Sequence, residues 1–168
     1  MYSPADIVRQ LLVDLGLTEE SGSSWPAYVS FLPELPHEAI CVYDTAGNPD
    51  GRLMEDGTRI EHPGIQIRVR GRTYLDAWQK ANSIALALDI MGQILIALYG
   101  MSTYLIHNVS RTGTVISAGV DDRDDRRRYH FTINAVMTIP NNEDFAVFLT
   151  EDGGNFLVTQ EEEFLTTE

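Results

Sequence analysis

Four histidines, one cysteine and several acidic clusters are the residues here whose side chains could do chemistry. A zinc site needs three or four nitrogen and sulfur ligands converging on one point. His37, His62, His107 and His130 include no pair four residues apart, and Cys41 has no second cysteine beside it. "HEAIC" at His37 opens like a zinc-protease signature, but the second histidine does not follow. "GMSTY" at Gly100 lacks the last glycine of a nucleophile elbow. In "NPDG" before "IQIRVR" an acidic residue precedes a strand, as in metal-dependent nucleases. That chemistry needs a second carboxylate and a lysine, and Gln66 and Arg68 stand there instead. "DTAGNPDG" from Asp44 does not have the spacing of a calcium loop and reads as a turn. These patterns predict no catalytic residue, no metal and no cofactor.

The densest charge lies in "DDRDDRRR", residues 121–128. Asp121, Asp122, Asp124 and Asp125 would suit a cation, but the intermixed arginines compete for the carboxylates. Arg126, Arg127 and Arg128 would suit phosphates, but the aspartates neutralise them locally. Arg–Asp pairing within a hairpin, or across to another chain, uses both signs better.

Such a block needs elements to hold it. "YHFTINAVMTI" follows at once, with Phe131, Ile133, Ala135, Met137 and Ile139 on one face of a strand. "TVISAGV" before it is a second strand, so the block is a hairpin tip. "PGIQIRVRGR" alternates most cleanly. Ile65, Ile67 and Val69 face one way, and Gln66, Arg68 and Arg70 the other, giving one core face and one basic face. Residues 25–33 read as a strand with Ala27, Val29 and Phe31 on one face, and residues 39–44 as another. Pro33 and Pro36 keep these two apart. Residues 44–51 read as a loop. Ser3, Pro4 and Asp6 start a first helix with a stripe of Ile7, Val8, Leu11, Leu12 and Leu15, and Gly16 stops it. Thr73 and Asp76 start a second, in which Tyr74, Trp78, Ala81, Ala85 and Leu88 share a face and Gly92 marks the end. Two more strands surround a turn at residues 100–102.

The expected fold is α+β: two helices packed on one face of a mainly antiparallel β-sheet, with a C-terminal β-hairpin or extended arm. Residues 1–139 form that domain and residues 140–168 an acidic extension. The apolar stretch at residues 83–101 is broken by Asp89, Gly92 and Gln93, which speaks against a membrane span. The chain has 168 residues and a net charge of −13, which repels DNA phosphates on average. Its start has no basic segment followed by an apolar run, so no signal peptide is expected.

In order along the chain, these motifs resemble the tail-terminator (minor capsid, tail-completion) proteins of long-tailed bacteriophages. The resemblance rests on "ADIVRQLLVDLGL", "GIQIRVRG", "RGRTYLDAWQKANSIALALD", the pair Arg111 and Thr112, the charged turn, and the aromatic-Thr-x-Asn run of Phe131, Thr132, Ile133 and Asn134. It covers residues 3–139. The turn departs from the family pattern in being longer and free of glycine. The resemblance implies a non-enzymatic subunit of a homo-hexameric ring at the head–tail junction of a virion, assembled in the host cytoplasm. Its partners would be further copies of itself, the tail tube protein and the head connector or completion protein. DNA would pass through the lumen without sequence-specific binding, and no membrane is involved. A second expectation, in the same class, is another neck or head-completion protein; a metal-dependent enzyme is the distant alternative. The expected subunit or tube contacts are Arg68, Arg70, Arg72, Arg111, Asp121, Asp122, Asp124, Asp125, Arg126, Arg127 and Arg128.

Overall fold

The computed structural model describes residues 2–18, 24–52, 59–100, 102–123 and 126–140, with only the backbone at 51, 52, 59, 123 and 126. Local signals in the sequence start both helices. Helix α1 spans Pro4–Asp14. The Asp6 amide donates to Ser3 Oγ at 3.2 Å, and the Ser3 amide donates back to the Asp6 carboxylate at 3.3 Å. Ile7, Val8, Leu11 and Leu12 are buried, while Leu15 lies past the helix end and is exposed, so the predicted stripe is one residue too long. Helix α2 spans Tyr74–Ile90, capped by the Thr73 hydroxyl, which accepts from the Asp76 amide at 3.1 Å.

Strands β1 (Ala27–Val29), β2 (Ala39–Arg52), β3 (Arg59–Gly71), β6 (Asn108–Arg111), β7 (Ile116–Arg123) and β8 (Arg126–Pro140) make the main sheet. Its order is β1-β2-β3-β8, with β6 and β7 following each other along the far edge of β8. Only β1 and β2 run parallel; the other pairs are antiparallel. Strands β4 (Ile94–Leu98) and β5 (Ser102–Ile106) form a separate antiparallel pair. The expected α+β class is therefore what the chain adopts.

Strict alternation makes one sheet face apolar. Register places Val42, Ile67 and Ile133 in one row, and Ile40, Val69 and Phe131 in the next. All six are buried, together with the inner faces of α1 and α2. On α2 that inner face is Ala77, Ala81, Ile84, Ala85 and Leu88. Tyr74 and Trp78, expected on it, are rotated towards solvent, at 55% and 40% exposed. The reason is the width of the apolar arc: α2 carries apolar residues on both sides, so spacing alone does not say which side faces the sheet.

Two further expectations are corrected. Residues 44–51, read as a loop, continue β2, with register shifts between Thr45 and Asn48 and between Pro49 and Arg52. Their turn-forming residues serve as bulges rather than as a turn. The strand expected at residues 25–33 is only three residues long. Ser30 takes a left-handed φ of 57° and Phe31 is 69% exposed, because Pro33 and Pro36 draw the chain away. Of the acidic extension expected at residues 140–168, with its hairpin or arm, Pro140 still belongs to β8 and residues 141–168 lie outside the described residues.

Candidate functional site

The sheet's second face carries the polar residues of the same strands. Ala39, Cys41 and Tyr43 of β2 lie opposite Arg70, Arg68 and Gln66 of β3, and those three lie opposite His130, Thr132 and Asn134 of β8. Across β8, Asp121 faces Arg128. Alternation thus gathers Arg68, Arg70, Arg128 and His130 on one face of a strongly acidic chain.

These four positions do different work. Arg70 is 3% exposed. Its Nε donates to the His37 carbonyl at 3.2 Å, and its terminal nitrogen to the carbonyls of Glu34, at 3.3 Å, and Pro36. It therefore clips the proline-bearing loop over the polar face of the sheet. Burial, and then the nearby Arg128, push its pKa below the usual range. Arg128 is 6% exposed, with one nitrogen 3.8 Å from Glu34 and a buried Nε that has no hydrogen-bond partner. Arg68 is half-buried, its guanidinium 5.4 Å from the centre of the Tyr43 ring and its Nε likewise without a partner. Desolvation, and then Cys41, raise the Tyr43 pKa to about 12, so the ring stays a neutral phenol under the cation. Burial raises the Cys41 thiol as well, which makes it inert rather than nucleophilic.

His130 is half-buried among these charges. Its pKa is lowered by burial first, then by Arg70 and Arg68, with Arg128 adding to them and Asp121 opposing. The neutral imidazole belongs to the folded state. This contribution to stability is complete above the unfolded value of 6.5 and is lost as pH falls through the depressed folded value. His130→Gln should therefore lose less melting temperature than the parent between about pH 7 and pH 5. Parallel scans of the two proteins check this, and equal losses would count against it.

The remaining predicted contacts are spread out. Arg111 makes a two-pronged pair with Asp89 at the end of α2; this holds the Asp89 pKa down and ties β6 to the helix. Arg72 is exposed and 3.7 Å from Glu38. Arg127 and Asp122 are paired rungs of the β7–β8 hairpin, 3.7 Å apart and both exposed. The backbone of Arg126 pairs with that of Arg123. Asp124 and Asp125 lie outside the described residues. The charge block is thus mostly paired strand, with opposite charges across two of its rungs. Arg70 and Arg128, expected among the contact residues, are buried within the subunit, Arg70 against the loop carbonyls and Arg128 beside Glu34. Among the described residues the exposed basic positions of that set are Arg72 and Arg127.

Three contributors were not picked out from the sequence: Tyr43, Glu34 and the carbonyls at residues 34–37. The only signal for the last was the pair of prolines that releases those carbonyls from a sheet. Among the described residues no three His, Cys, Asp or Glu side chains are placed to hold a metal, and no helix is long and apolar enough to cross a membrane.

A comparison with curated proteins finds no match. A family model described as bacteriophage tail terminator protein matches residues 10–141, which takes in every element of the sheet and all but the first turns of α1. On that match, the chain belongs to the bacteriophage tail terminator family.

Proposed function

We propose that this chain forms a ring that caps the phage tail tube, ends its growth and offers the opposite surface to the head connector. Family membership already makes it a structural component of a virion. The observation that carries the finer reading is the placement of two long hairpins. The β2–β3 hairpin leaves the sheet at the end where Ile60 pairs with Pro140. The β7–β8 hairpin leaves at the other end, beyond the row of Gly71 and Tyr129. A subunit with projections at opposite ends suits a ring that meets one structure above and another below.

In a closed ring each subunit uses two different, complementary patches. Arg72 and Arg127 supply an exposed basic side. Acidic residues of the hairpin and of the C-terminal segment supply the other. The net charge of −13 suits a lumen from which DNA must slide freely. The protein acts as a structural subunit rather than as an enzyme.

Arg127→Glu tests the role of the hairpin tip, since Arg127 is exposed and its loss leaves the core intact. The variant should fold normally and bind purified tail-tube ends at least about tenfold more weakly, a loss of about 1.4 kcal/mol. Unchanged affinity would remove the tip from the contact. Preferential binding to DNA-filled heads over tubes would favour a head-completion role instead.

A further inference from the structure

On its polar side the main sheet carries a surface from which acid is missing. Register puts Cys41, Arg68, Thr132 and Ile116 on one rung across four strands. The next rung is Tyr43, Gln66 and Asn134, and the one after it runs from Thr45 through Gly64 and Val136 to Ser110. None of these residues is acidic, in a chain with 25 acidic residues against 12 basic ones. The proline-bearing loop lies over the neighbouring end of the face, at Arg70 and Arg128. Tyr43, Gln66, Asn134 and Val136 are half-buried rather than sealed.

Arg68 is the unfinished part of this surface. The side chains of Gln66 and Asn134 bond to each other at 3.0 Å. The Arg68 guanidinium stacks on the Tyr43 ring, yet among the described residues it makes no hydrogen bond and no ion pair, and its Nε is buried without a partner. A donor left unmade in this way is costly, so the group calls for an occupant. The residue is only half-buried, which leaves it open to a neighbour. Arginine and tyrosine are also where binding energy concentrates, in interface centres otherwise poor in charge. Ile116, 51% exposed on the same rung, adds an apolar contact at the edge of the patch.

We propose that this face binds a second copy of the chain, and that an acidic side chain from a different surface of that copy completes the Arg68–Tyr43 pair. Charge complementarity selects the occupant: the three rungs hold one unpaired cation and no acid, while each copy has a net charge of −13. It also fixes the kind of contact. Two such faces laid on each other would set one Arg68 against another, so the pairing is not the self-complementary one of a two-fold dimer. A face that must meet a different surface of the next copy repeats head to tail, as closure of a ring requires. The contact is thus one joint of the ring proposed above, and rests on that reading.

A photo-reactive benzoylphenylalanine in place of Ile116, in the full chain, tests this both free in solution and on purified tail-tube ends. Irradiation should give a species of twice the chain mass, joined to a peptide of the other copy from outside residues 39–45, 64–72 and 130–136. Arg68→Gln should lower the yield of that species about tenfold or more at equal concentration, while circular dichroism reports an intact fold. Ser110→Glu, at an exposed position of the same face, sets an acid against the neighbour's acids and should lower the yield too. No linked copies in either setting, or a yield untouched by Arg68→Gln, overturns the proposal. So does a link from face to matching face, or one only to the tube protein or to residues 141–168 of the same chain. Tube capping without any link between copies would remove this contact and leave the functional reading standing. Linked copies without capping would do the reverse.

Discussion

Arg70→Ala is expected to lower the unfolding free energy by about 3 kcal/mol, the largest effect of any charged residue on the sheet. The side chain is almost fully buried and feeds three backbone carbonyls of the loop that carries Pro33 and Pro36. Prolines cannot donate, and the loop has left the sheet, so these carbonyls have little else to bond. Hydrogen bonds from a charged donor are worth about 1.5–3 kcal/mol each, less what the exposed parts of the loop regain from water. Arg70→Lys should recover only part of the loss, because an ammonium lacks the planar fork that reaches several carbonyls at once. Chemical denaturation of the three proteins checks this. A parent-like midpoint for Arg70→Ala would show that the loop holds itself.

Gly64→Ala is expected to cost about 3 kcal/mol or more, although alanine is a small residue. Gly64 sits in mid-sheet, opposite Thr45 on one side and Val136 on the other. A Cβ there would lie 2.2 Å from the Ala46 carbonyl oxygen and 2.6 Å from Thr45 Oγ1. The matching approach occurs at Gly47, whose Cβ would meet the His62 carbonyl at 2.2 Å. The two glycines let β2 and β3 close over the bulge between Thr45 and Asn48. Backbone cannot move aside as the end of a long side chain does, so the hairpin must open or shift. A drop in melting temperature of several degrees or more is expected. A melting temperature equal to the parent's would mean that the bulge relaxes freely.

These two residues also show where sequence reading stops. The apolar face of β3 and β8 was legible, because period-two alternation is a local signal and Ile65, Ile67, Val69, Phe131 and Ile133 all obey it. Both helix starts were legible through Ser3 with Asp6 and Thr73 with Asp76. The polar face was legible as a face, but the fate of each arginine on it was not. Arg68 and Arg70 are two residues apart on one strand. Yet one stacks half-exposed on Tyr43, while the other is sealed under a loop more than thirty residues away in sequence. The turn-like composition of residues 44–51 misled for a related reason: glycine and proline tolerate bulges as well as turns, and only the partner strand decides between them. The resemblance to tail terminators, read from the order of short motifs, agrees with the family match over residues 10–141.

The charged stretch, expected to be a hairpin tip, is paired strand at residues 121–123 and 126–128. Asp121 faces Arg128 and Asp122 faces Arg127 across the strands, so much of its charge is matched locally. Arg127 and Asp122 form an exposed rung of it.

If this chain stops tail-tube growth, as proposed, the effect is visible on the tubes themselves. Purified tail tube protein, polymerising in the presence of increasing amounts of this chain, can be followed by negative-stain electron microscopy. Tubes should stop elongating once their ends are occupied, each bearing a ring at one end. Tubes that continue to elongate, with no added density at either end under saturating protein, would contradict it.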